Sequence, residues 1–131
     1  MIRYILIIPL FLFVLLMYDA MIFTGIDMTG QLFSLHLISG ASWSLAVGDA
    51  LLILGVTVLY IELLKSTNSQ TITIIEHILS MLVFIGFLVE FIVIQGAATT
   101  IFVILMLMSL LDVVAGFTIT VSTARRDIYT H

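Results

Sequence analysis

The chain has 131 residues, 63% hydrophobic and 9% charged, with a mean hydropathy of +1.35 and a net charge of −4. A soluble domain of this size could not hide so much apolar surface from water, so lipid is its natural solvent and no room remains for a separate globular domain. Only four cations, with no basic patch, leave nucleic-acid binding without support, and the lack of cysteine excludes disulfides and thiolate metal sites.

Residues 2–24, IRYILIIPLFLFVLLMYDAMIFT, read as a first membrane span. Arg3 ahead of an apolar run resembles a secretory signal. Tyr18, however, is too large for the small-residue position before Ala20, and the run continues through Met21, Ile22 and Phe23, so an uncleaved helix is expected. Pro9 lacks a backbone donor and should bend this helix, leaving the carbonyl of Ile5 without its usual partner. Nothing polar falls between Tyr4 and Tyr18, so most of the helix can face lipid, with Asp19 turned inward near its far end.

Residues 25–43, GIDMTGQLFSLHLISGASW, are punctuated by glycine, serine and threonine and read as a packed connecting loop with a short helix. The centre, LFSLHLI, is apolar enough to lie in the membrane interface or fold back onto the bundle, and Trp43 suits an interface anchor. A sharper reading is a re-entrant segment that carries His36 to the intramembrane acids, which would require protein to cover its backbone.

Residues 44–64 form the second span, with Asp49 about one turn inside it. Ser44 and Gly48 make a small-xxx-small pair, and Gly55 follows seven residues later, permitting close helix approach. Glu62 and Lys65 can pair at the far end. The turn STNSQT is short and polar, so the second and third helices should be antiparallel neighbours. In the third span, residues 72–95, Glu76, Ser80, Val83, Phe87 and Glu90 recur at steps of three and four and share a stripe, the face expected to turn into the bundle.

The fourth span, residues 101–123, opens on IFVILMLMSLL, places Asp112 near its middle and runs through VVAGFTITVSTA towards Arg125 and Arg126. About 22 residues at ~1.5 Å each give ~33 Å, enough to cross the hydrocarbon core. Ser109 sits one turn before Asp112, and Ala115 and Gly116 one turn after, so Asp112 is expected at a helix–helix contact. The fold class is therefore all-α: one four-helix transmembrane bundle with short loops. With four spans, Arg3, Lys65, Arg125 and Arg126 all fall on one side, which the positive-inside rule makes cytoplasmic, so both termini are inside.

Asp19, Asp49 and Glu90 then lie in the outer third of the membrane and Asp112 near its centre. Asp19 precedes Gly25 by six residues as Glu90 precedes Gly96, which gives the two acids equal depth. No lysine or arginine falls between Arg3 and Lys65 or between Lys65 and Arg125, so these acids lack an intrachain cation at their own depth. A charged Asp at a helix centre costs roughly 2.5–3.5 kcal/mol on insertion scales. Such an acid stays protonated and donates a hydrogen bond, binds a proton or cation as part of a function, or pairs with a cation of another chain. Glu62, Glu76 and His77 read as a solvated helix end.

His36 with the outer acids could hold a divalent metal or a proton, although the pattern has no fixed ligand spacing. No phosphate loop, recognisable nucleophile or Glu-x-x-His metal motif occurs. The expectation is a non-enzymatic, multi-pass subunit without a cofactor, surrounded by membrane lipid and packed against other membrane chains or its own copies. The cell membrane, a bacterial inner membrane above all, is its expected location. The alternative is an oligomeric proton or small-cation transporter using Asp112, Glu90, Asp49 and Asp19; a metal-dependent enzyme at His36 ranks last.

Overall fold

The computed structural model describes residues 8–66 and 72–130. Arg3, the turn over 67–71 and the side chain of Arg126 lie outside the described residues. Among the described residues there are four helices: α1 (Leu10–Phe23), α2 (Val47–Ser66), α3 (Ile72–Val93) and α4 (Thr100–Thr130). Between α1 and α2 stands an antiparallel hairpin, β1 (Gln31–His36) and β2 (Ser42–Ala46), and a single 3-10 turn, Gln95–Ala97, joins α3 to α4.

The fold is thus mostly helical, but not all-α. The loop with a short helix expected over 25–43 is a β-hairpin. Its sequence alternates: Phe33, Leu35 and Leu37 interleave with Ser34 and His36, and Trp43 and Leu45 with Ser42 and Ser44, a period of two that no helix can place on one face. Gly40, with φ of 91°, takes the left-handed position of the hairpin turn, where its amide donates to the Leu37 carbonyl at 3.0 Å.

Pro9 stands just before the start of a helix, where a bend within one was expected. It is extended (φ −66°, ψ 129°), and α1 starts at the next residue, so the described helix is 14 residues, or about 21 Å at 1.5 Å per residue. At its other end Gly25, with φ of 78°, completes a Schellman cap: its amide reaches the Ile22 carbonyl at 3.1 Å and that of Ile26 reaches Met21 at 2.9 Å. The helix α4 does not stop before the arginine pair. It continues to Thr130 over 31 residues, about 46 Å, because nothing after Gly116 breaks it.

The core is one layer shared by all four helices. It holds Phe11, Val14, Leu15 and Tyr18 of α1, Leu51 and Val58 of α2, Val83 and Phe87 of α3, and Phe102 and Leu105 of α4. Phe102 is the hub: the rings of Tyr18, Phe87 and Phe91 lie 5.0, 5.3 and 6.4 Å from its own. Such tilted and offset pairs add about 0.5–1.5 kcal/mol each beyond simple burial. In lipid this packing, not the exclusion of water, holds helices together.

α4 packs most extensively, against α2 and α3, whereas α1 touches α3 only lightly. Close approach of α2 to α4 depends on the absent side chains of Gly48 and Gly55. A Cβ on Gly55 would come within 2.8 Å of both Leu105 Cδ2 and Met108 Sδ, and one on Gly48 would collide with Ile101. The stripe on α3 is inward, with Ser80, Val83 and Phe87 buried, while Leu82 and Ile85 are exposed.

Candidate functional site

Two polar centres lie at opposite ends of the bundle, with the aromatic layer between them. At the end where α1, α3 and the hairpin meet, Asp19 in the last turn of α1 stands within hydrogen-bonding reach of Glu90 in the last turn of α3. Asp19 Oδ1 and Glu90 Oε2 are buried with no donor among the described residues. Two ionised carboxylates have only acceptors to offer each other. Both also sit near the negative poles of their helices, which gives neither a compensating charge.

Tyr18 closes this centre. Its hydroxyl contacts Thr99 Oγ1 at 2.6 Å and donates towards the Gly96 carbonyl at 3.2 Å, and the side chain is fully buried. Thr99 caps α4 by accepting the amide of Phe102 at 3.2 Å. The site therefore joins α1, α3, the 3-10 turn and the start of α4.

The opposite centre forms around Pro9. A helix that begins inside the bundle exposes amides that need an acceptor. Glu62 Oε1 supplies it, taking the Leu10 amide at 2.7 Å, and Lys65 Nζ bridges Glu62 at 3.3 Å and the carbonyl of Ile8 at 3.1 Å. Glu62 is 5% exposed, so it is not the solvated helix end expected of it. Asp112, also 5% exposed, is buried on α4. The flexible stem of Lys65 lets its charge reach Glu62 and the Ile8 carbonyl. His77 stacks edge-on to Phe117 at 6.5 Å.

The remaining candidates are dispersed. Asp49 is exposed in the first turn of α2, where its Oδ2 accepts the amide of Ala46 at 3.1 Å, the returning half of a capping box placed at the positive pole of the helix. His36 does not fold back. It lies exposed on β1, its Nδ1 2.9 Å from Ser42 Oγ, and among the described residues no group of three or more His, Asp or Glu side chains is placed to hold a metal ion. Arg125 is exposed on α4 beyond the apolar stretch.

Tyr18, Thr99 and the buried role of Glu62 were not singled out from the sequence. The signal for Glu62 was present: a proline just before a helix within an apolar run leaves the following amides in need of a buried acceptor.

No protein-family model, characterised protein or solved structure matches this chain. Its class is defined by the fold itself. Three helices, Val47–Lys65, Ile74–Val93 and Thr100–Ile119, are long and apolar enough to cross a bilayer, and Leu10–Phe23 is a shorter apolar fourth. In length and composition these helices are consistent with an α-helical membrane protein.

Proposed function

We propose that the protein is a small multi-pass integral membrane subunit that packs against partner chains. The observation that carries this reading is the closed aromatic layer. Phe11, Phe87, Phe102 and Leu105 fill the interior between the Asp19–Glu90 pair and the Glu62–Lys65 pair. The described bundle thus offers packing surfaces without a polar route through its centre. Its outer faces are apolar: Ile53, Val56, Leu82, Leu111, Val114 and Phe117 are exposed on the three long helices. In this reading Lys65, Arg125, Arg126 and Arg3 mark the cytoplasmic side and the hairpin stands on the other, the cell membrane being the site of assembly.

Solubilisation of native membranes in mild detergent tests the proposal. A stoichiometric, unrelated membrane chain is the expected companion. Recovery of the chain alone, or only with its own copies, with cation flux after reconstitution, would overturn it.

A second reading, an oligomeric transporter of protons or small cations, draws on Asp19 and Glu90, each with one carboxyl oxygen buried without a hydrogen-bond partner among the described residues, because acids within membrane spans suit the carriage of protons or cations. It requires the aromatic layer to open. Under it, Asp19→Asn and Glu90→Gln assemble normally and abolish flux.

A further inference from the structure

The hairpin has two unlike faces, and one of them is uncovered. Directly paired residues of an antiparallel ladder share a face, and the register pairs Phe33 with Leu45, Leu35 with Trp43, Ser34 with Ser44 and His36 with Ser42. Side-chain contacts agree. The rings of Phe33 and Trp43 meet edge-on at 6.0 Å on one face, and His36 bonds Ser42 on the other. One face is therefore hydrocarbon and aromatic, and the other carries three hydroxyls and an imidazole. Yet Phe33, Leu35 and Trp43 are 46%, 48% and 43% exposed.

Three observations say what covers them. Leu45, on the apolar face, is 8% exposed and packed at the root of the hairpin, so that face is the one turned to the bundle, and its outer part stays exposed past the packed root. The root is fixed: β2 passes into α2 with no intervening residue, and the amides of Val47 and Gly48 bond the carbonyls of Gly30 and Met28 at 2.9 Å each. From Met28 to Ala46 there is no Asp, Glu, Lys or Arg, so no charge resists partial burial among headgroups. Tryptophan and phenylalanine favour that zone, and an isolated two-stranded hairpin is marginal in water without a surface for its apolar face.

We propose that the hairpin lies flat on the bilayer surface beside the bundle, with Phe33, Leu35 and Trp43 among the lipid headgroups and Ser34, His36, Ser42 and Ser44 towards water. The contact is with lipid, and it needs no anionic headgroup because the hairpin carries no cation. Its effect is to fix the outer ends of α1 and α2 relative to the membrane plane.

Trp43 is the only tryptophan, so the native chain reports on its own contact. The full chain is reconstituted into phosphatidylcholine vesicles, and its fluorescence is quenched by aqueous iodide or by lipids brominated near the glycerol or near the chain ends. The expected result is blue-shifted emission, weak iodide quenching, and stronger quenching by the shallow bromines than by the deep ones. Emission typical of water with strong iodide quenching would overturn the proposal. So would protection from both iodide and brominated lipid, which would mean that a protein surface covers the face. Leu35→Glu should shift the emission to the red and raise iodide quenching, while Ser44→Glu on the opposite face should do neither. Equal shifts in the two variants would refute the face assignment.

Discussion

Tyr18 is fully buried, and its hydroxyl is shared between Thr99 Oγ1 and the Gly96 carbonyl. Tyr18→Phe keeps the ring against Phe102 and removes only the polar handle. Polar contacts within membranes average about 0.6 kcal/mol and reach about 1.7, so a loss within that range is expected from unfolding in mixed micelles. An unchanged midpoint would show that the hydroxyl contributes nothing. Lys65 carries more, because it serves Glu62 and the Ile8 carbonyl together. Removing one partner of a buried pair costs roughly 3–5 kcal/mol, reduced here by the partial exposure of the lysine. Lys65→Met should therefore be far more damaging than Lys65→Arg, as read by thermal stability in detergent; equal effects would contradict the clamp. Asp27, outside the spans, is held below its ordinary value of 3.8 by hydrogen bonds from the Thr29 hydroxyl and amide. A lowered folded value means that this turn is supported at higher pH and loses support as pH falls through that value. The Thr29 amide resonance should follow that titration, and a midpoint above 3.8 would contradict it.

The α2–α4 pair is the tightest seam in the bundle, set by two glycines seven residues apart. Gly55→Val drives a branched side chain into Leu105 and Met108, and overpacking of this kind costs about 1–3 kcal/mol. Lower stability is expected from the same unfolding measurement, whereas a neutral outcome would show that the seam yields. That α2 is closely approached was legible in the sequence from Gly48 and Gly55, but its neighbour was not: α3 was expected beside it, and the glycines meet α4. The inward stripe of α3 was legible from its helical spacing. The hairpin was not, although its period of two was present. Glycine and serine at its ends read as punctuation, and an apolar centre inside a membrane chain reads as helix. The start of α1 was only half legible: the proline was clear, but the acceptor that meets the Leu10 amide after it, Glu62, lies 52 residues away.

At the scale of the molecule, contacts set the depth of each acid more firmly than its position along a span. Asp19 and Glu90, equal in depth by counting, do meet. Asp112, central by counting, is buried within the bundle. Counting residues gives height along one helix, whereas the reach of a lysine and the shortness of α1 are properties of the assembled bundle. All of this rests on one arrangement: helices alternating in direction, the hairpin and the 3-10 turn at one end, and Lys65 and the Glu62 clamp at the other. The chain has no cysteine, so single cysteines at Ser39, Asn68 and Ala98 can be labelled one at a time in sealed vesicles with a membrane-impermeant thiol reagent. The expected result is that Ser39 and Ala98 react from the same side and Asn68 from the opposite side. Ser39 and Ala98 reacting from different sides, or Asn68 reacting from the side of either, would contradict the bundle.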